Sequence, residues 1–323
     1  MDYIGFSIYS KLFLGDRQSL ADIGSTGDDP EAIFPAMATT IDKIVREFGA
    51  RHHVGGVVHF CDIEHLFHQD IIKQPWADAE RVWSSRRKYP FVLGFHINFS
   101  HENLPLAPGF VDTFRRTTAL CKDLGVESLV LHAPLVRTWD TDKDFLELMT
   151  SEPIVDAMSS CSAAMCWENA QDTQAYYRDI GRLVAWRQRL VDRYAEMGRK
   201  DLAKRSLFCL DTGHLLLSLQ RDGAGSDQVS RHLLDFAPYI KVYHIHANDG
   251  TRDQHLIPFL NVKEYHLAEV NPERFVANSK LAMSWIDTCL ELGKIDGRHV
   301  HLESGPPMPL EEIIAFYHRL FDR

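Results

Sequence analysis

The 323-residue chain is defined first by what it does without. Its six cysteines, at 61, 121, 161, 166, 209 and 289, form no C-x-x-C pair, so neither a disulfide framework nor a zinc ribbon can be read from them. Buried, reduced thiols of a cytoplasmic protein are the expectation. No apolar run approaches the ~20 residues that cross a bilayer, and the opening MDYIGFSIYSKLF lacks the basic-then-apolar order of a secretory signal. No membrane partner is therefore expected. Neither G-x-G-x-x-G nor G-x-x-x-x-G-K-[ST] occurs, which removes support for the nucleotide-binding open sheets. Positive charge is in deficit, with a formal net charge of −10. That disfavours loose electrostatic attachment to nucleic acid or anionic membranes, although bound cations would add charge that the sum ignores.

What remains is ordinary for a globular protein, with 45% hydrophobic and 25% charged residues. Short β-rich apolar runs alternate with longer helical patterns, the signature of repeated β–α units. Strands are predicted near 3–8, 54–60, 91–95, 128–131, 163–167, 207–210, 240–245 and 298–302, with amphipathic helices at 31–48, 109–124, 174–197, 230–236 and 310–321. In the second of these, Phe110, Phe114, Thr117, Leu120 and Leu124 recur at three- and four-residue steps, and Gly125 stops the helix. Eight strands with crossovers favour one closed α/β barrel, a single (β/α)8 domain over 1–323. An insertion around 256–297 is expected to lie over its mouth.

Most of the predicted strands end in a side chain that binds metals: His96, His132, Glu168, Asp211 with His214, His246 and Glu303. A parallel barrel gathers its C-terminal strand ends at one mouth, so these groups are expected to converge. Buried carboxylates meeting there require a cation or several donors; salt bridges to barrel arginines are the alternative. His244 and His301 share strand parity with His246 and Glu303 and are read as packing residues one layer deeper. His59 is read the same way. Gly213, within D-T-G-H, is read as permitting a tight turn between strand and helix. Lining of the mouth is expected from Trp167, Asn169, Asp249 and Arg252, with Lys263, Tyr265 and His266 as further candidates, and His101 with Glu102 beside them. The basic run 81–88 is read as a solvated helix face.

Glu168-Asn169, then Asp211-x-x-His214, then His246-x-Asn248-Asp249 with Asp253-x-His255, then Leu302-Glu303, in this order at strand ends, resembles the xylose-isomerase-like superfamily of TIM barrels. That group includes sugar isomerases and epimerases and endonuclease IV-type enzymes. The opening M-D-Y-I-G and the stretch HINFS…FRRTTALCKDLGVESLVLHAP are similar to the endonuclease IV branch. The resemblance covers most of the chain through short motifs and implies divalent cofactors, Zn²⁺ or Mn²⁺, one to three per chain.

The endonuclease IV branch implies three metal positions and phosphoester hydrolysis. His96, His132 and Glu168 form the first; Glu168, Asp211, His246 and Glu303 the second; His214, Asp253 and His255 the third. The isomerase and epimerase branch implies one ion on Glu168, Asp211, His246 and Glu303. There His214 meets a small sugar, polyol or keto acid, while Glu168 and Glu303 move protons. Glu168, Glu303 and His214 are accordingly the expected catalytic residues. Three departures from the first branch argue against DNA as the substrate. A Gly-rich loop after the first strand is replaced by FSIYSKLFLGD. An Asp-Arg-His triplet becomes Asp253-Gln254-His255, and the glycines that usually follow it become LIPFLNV.

Overall fold

The computed structural model describes residues 1–9, 33–61, 91–97, 104–135, 140–170, 176–222, 226–265, 267–303 and 310–322. His101, Glu102, His266 and the basic run 81–88 lie outside them. Eight parallel strands close on one another in chain order: β1 (Asp2–Tyr9), β2 (Val54–Cys61), β3 (Phe91–His96), β4 (Ser128–His132), β5 (Ala164–Glu168), β6 (Ser206–Asp211), β7 (Ile240–Ile245) and β8 (His299–Leu302), with β8 pairing back to β1. Around them run α1 (Ile33–Gly49), α2 (Phe110–Leu124), α3 (Thr141–Met149), α4 (Glu152–Ser160), α5 (Ile180–Glu196), α6 (Lys200–Arg205), α7 (Thr212–Asp222), α8 (Ser226–Phe236), α9 (Pro272–Leu292) and α10 (Leu310–Phe321). No helix among the described residues is long and apolar enough to cross a membrane. All six cysteines are buried thiols.

Strand alternation sorts the side chains into two cores. Outward residues such as Phe95, Leu129, Leu131, Trp167, Phe208, Tyr243 and Ile245 pack against the helix ring in one large cluster. Phe145 of α3 stacks on Trp186 of α5 at 3.9 Å and 5°, and Trp167 meets both edge-on at 5.1 and 5.2 Å. Inward residues Val130, Ala164, Cys166, Leu207, Cys209 and Val242 form a separate, smaller cluster inside the barrel. Each inward row then turns polar towards the mouth: Val130 precedes His132, Cys166 precedes Glu168, and Cys209 precedes Asp211.

One irregularity sets the level of β7. Phe208 pairs with Ile240 but Cys209 with Val242, a one-residue shift that brings Asp211 level with His244 rather than with Tyr243. Adjacent inward side chains can share a layer only if their phases agree, and the extra residue supplies that agreement.

The helical periodicity of α2 is met residue by residue, with Gly125 in the left-handed conformation (φ 60°) as its C-cap. The predicted helix over 174–197 starts later. A 3-10 turn (Tyr176–Arg178) precedes Asp179, whose side chain accepts a hydrogen bond from the Gly181 amide at 2.9 Å and so begins α5 anew. Asp179→Ala should cost about 1 kcal/mol, the usual worth of such a cap, read as a lower denaturation midpoint with unchanged slope. Of the span 256–297, residues 272–292 form α9, which packs on α7 and α8 in the outer ring. Residues 256–271 form an irregular segment tied to β7 through an antiparallel bridge between Ala247 and Leu256.

Candidate metal centre at the barrel mouth

The strand ends deliver a continuous cluster of carboxylates and imidazoles. Glu168, 1% exposed, is its hub. Its Oε2 lies 3.0 Å from His96 Nε2 and 3.1 Å from His132 Nε2. Its Oε1 accepts from His244 Nδ1 at 2.7 Å. His244 Nδ1 also lies 3.0 Å from Glu303 Oε2, so one imidazole spans both glutamates.

Asp211 accepts from His246 Nε2 at 2.9 Å and from the His214 amide at 2.7 Å. On the far side, Asp253 Oδ2 lies 2.7 Å from His255 Nε2 and 3.4 Å from His214 Nε2. His255 stacks on His246 at 4.2 Å and 3°. The nine residues expected as ligands are thus brought together. Potential donor atoms lie within 4.8 Å of one another in the groups Asp211–His214–His246, His246–His255–Glu303, His96–Glu168–His244 and Glu168–Asp211–His244–Glu303.

His244 is the residue that strand parity locates but misjudges. It points inward as expected, yet it reaches the carboxylates rather than merely packing below them. The H-x-H spacing of His244 and His246 carries the signal: both rings face inward, and the upper one leans towards Asp253, 3.7 Å away.

Two turns of backbone position the set. Asn169 holds the Asp211 peptide through its side-chain amide, Nδ2 donating to the Asp211 carbonyl at 2.9 Å and Oδ1 accepting from the Asp211 N–H at 2.8 Å, and its backbone carbonyl accepts from His214 Nδ1 at 2.9 Å. Gly213 lies inside α7, not in a tight turn between strand and helix. A Cβ there would sit 2.0 Å from His246 Cε1, so its missing side chain is where that ring fits. His255 adopts φ 46° without being glycine, a conformation costing about 1–3 kcal/mol that persists only where surroundings impose it.

The expected lining residues fare differently. Trp167 faces the helices, because its neighbour Glu168 takes the inward position; it is not a wall of the pocket. Asn169 is fully buried and occupied with Asp211. Asp249 clamps a loop, accepting from the Thr251 amide and hydroxyl and from the Asn271 amide at 3.0, 2.6 and 2.9 Å. Burial alone would raise its carboxyl, but these bonds outweigh that and hold it low. Arg252 is 58% exposed and pairs with Glu269 at the rim. Tyr265 donates to Glu312 at 3.1 Å, and Lys263 is exposed. Gln254, standing where the resemblance expects arginine, accepts from the Asp249 amide at 2.8 Å.

The electrostatics are those of a site built for cations. Among the described residues, the ion pairs of Glu168, Asp211 and Glu303 are all with imidazoles; no arginine or lysine takes part. Burial would push both glutamates up, but His244 and its neighbours outweigh it and keep them ionised. In return His244 and His214 are raised despite their burial, and Asp253 lifts His255 to about 9. Burial dominates at His132 and holds it at about 3, hence neutral. His246 Nδ1 and Asp253 Oδ1 are buried without a hydrogen-bond partner. Mixed imidazole and carboxylate donors with unspent valence suit a borderline divalent ion.

No family model matches the chain, and a search of curated proteins finds no match. Solved structures do match over nearly the whole length. One is a D-tagatose 3-epimerase-like protein (14% identity, TM-score 0.55, covering 100% of this chain and 96% of that one). A second is IolI with a bound zinc atom (12%, 0.52, 99% and 96%). A third is endonuclease IV from Thermus thermophilus (14%, 0.51, 99% and 97%). At such identities the likeness establishes architecture: the chain has the closed (β/α)8 barrel fold that these proteins share.

Proposed function

We propose that this xylose-isomerase-like barrel is a divalent-metal-dependent hydrolase of phosphoesters. His96, His132 and Glu168 would hold one ion, Glu168, Asp211, His246 and Glu303 a second, and His214, Asp253 and His255 a third. The observation that carries the reading is the third group. A single-ion barrel has no need of Asp253 and His255, yet Asp253 reaches both His255 at 2.7 Å and His214 at 3.4 Å, with strained backbone at His255. Bound together, clustered cations neutralise phosphoryl charge and bring the pKa of water near neutrality.

The residues around them have separable tasks. Glu168 presents one oxygen to the His96–His132 side and the other to His244, which would suit it to bridge two ions. Glu303, paired with His244, is suited to accept or return a proton beside the substrate. Asn169 orients Asp211 through its backbone.

A second reading has its own support. Glu168 and Glu303 share His244, an arrangement able to pass a proton between two faces of a small sugar or keto acid held by one ion. Metal analysis of reconstituted protein separates the two, together with assays on a phosphodiester and on a ketose in deuterated water. Two or more ions with phosphodiester cleavage support hydrolysis; one ion with solvent deuterium in recovered ketose supports isomerisation and overturns the first reading.

Metal affinity should depend steeply on pH. Before an ion binds, His255 keeps its proton up to about pH 9, and His214 is raised as well. Cation and proton compete for the same nitrogens, so affinity climbs as pH rises towards 9, where His255 gives up its proton. The slope should be about tenfold per pH unit for each proton displaced. Calorimetry in buffers of different ionisation enthalpy counts those protons; a pH-independent affinity would contradict the ligand assignment.

A further inference from the structure

Below the mouth cluster lies a second concentration of imidazoles, two of which the proposed hydrolysis does not use. His59 of β2, His244 of β7 and His301 of β8 are each fully buried, and their ring centroids stand 5.0, 4.8 and 4.4 Å apart pairwise. A nitrogen from each lies within 4.8 Å of a nitrogen from the others. This is an unusual filling for a barrel interior, where branched apolar side chains normally occupy the layers. The neighbouring strands make room for it. His59 is level with Gly94, whose absent Cβ would fall 2.5 Å from the His59 ring.

Each ring is held by its Nδ1. His301 Nδ1 lies 3.0 Å from Ser7 Oγ, His59 Nδ1 lies 3.8 Å from Cys61 Sγ, and His244 Nδ1 donates to Glu168 and faces Glu303. Each ring leaves the same atom over: Nε2 of His59, of His244 and of His301 is buried with no hydrogen-bond partner. Packing does not answer for these three atoms. Ring stacking engages the faces of imidazoles, whereas an in-plane nitrogen needs a proton acceptor, a donor or a metal, and leaving it bare costs about 1–3 kcal/mol. A carboxylate on Nδ1 with Nε2 left over, as at His244, is also the arrangement that orients metal-binding histidines, since the hydrogen bond fixes the tautomer and strengthens the other nitrogen as a donor.

We propose that His59, His244 and His301 form an interior metal site, distinct from the mouth, for a borderline divalent cation of the zinc type. Three imidazole nitrogens and no carboxylate oxygen in the donor set select such an ion over magnesium or calcium, which prefer oxygen. His244 links the two levels, its Nδ1 on the mouth glutamates and its Nε2 on the interior ion. Coordination needs each nitrogen aimed in the plane of its ring. The rings of His59 and His301 now stand 28° apart, so that angle opens when the ion enters.

The test is diffraction from the wild-type protein loaded with Zn²⁺ and measured at the zinc absorption edge. An anomalous peak within bonding distance of His59, His244 and His301, beneath those at the mouth, is expected. A water molecule or no density there, with zinc present at the mouth, would overturn the proposal. Metal analysis supplies the second arm. His59→Leu and His301→Leu should each bind one Zn²⁺ fewer per chain than wild type, and an unchanged content counts against the site. Asp253→Ala should remove one zinc from the mouth and keep the interior peak, so loss of the hydrolase reading and loss of this one are distinguishable.

Discussion

Glu168→Gln is expected to remove activity by roughly 10³-fold or more, because several kcal/mol of charge stabilisation is lost and each ~1.4 kcal/mol is a decade in rate. The amide has almost the shape of the carboxylate, so the barrel should fold and its far-ultraviolet circular dichroism should be unchanged. What disappears is the negative charge that meets His96 and His132 on one side and His244 on the other, at 3.0, 3.1 and 2.7 Å. An amide also turns a donor towards imidazole nitrogens that need an acceptor. Metal content should fall by at least one ion, and the rise in melting temperature on adding Zn²⁺ or Mn²⁺ should shrink with it. Retained activity with full metal content would remove Glu168 from the centre of the site.

Gly213→Ala should be nearly as damaging for a different reason. The new methyl would fall 2.0 Å from Cε1, 2.3 Å from Nδ1 and 2.6 Å from Nε2 of His246. That ring is no flexible tip. It is gripped by Asp211 at 2.9 Å and stacked against His255 at 4.2 Å. Either the ring leaves Asp211 or the first turn of α7 moves, and both pull a ligand away from the Asp211–His214–His246 group. Overpacking of this kind costs about 1–3 kcal/mol, read by denaturant titration, and should be accompanied by loss of bound metal. Gly198→Ala is the control. Gly198 has φ 75° with nothing near its would-be Cβ, so only the left-handed backbone penalty of about 1–2 kcal/mol applies, with metal content untouched.

These two positions show how far the sequence could be read. Glu168 stands out in it because a carboxylate at the end of the apolar run AMCWE needs a partner wherever that run is buried. Gly213 does not stand out for the right reason. Within D-T-G-H it suggests a tight turn, whereas its role depends on a ring arriving from β7, thirty-three positions later. Period-two alternation places His244 on the correct face, but whether it touches Glu168 and Glu303 depends on how β7 is registered against β6 and β8, which leaves no local trace. Trp167 and Asp249 fail as lining residues on similar grounds. A residue next to a ligand in a strand must face the other way, and a loop carboxylate can be consumed by the backbone it folds against.

The sequence by itself determined the eight-strand barrel and the convergence of strand-end imidazoles and carboxylates. Both follow from chain-local physics, the alternation of apolar periodicities and the single direction of parallel strands. Tertiary structure alone decided which nitrogen meets which oxygen, that Glu168 joins three imidazoles, and that His59, His244 and His301 share a buried layer with bare nitrogens. Those outcomes turn on register, ring orientation and the space left by Gly94 and Gly213, quantities that exist only once distant strands are side by side.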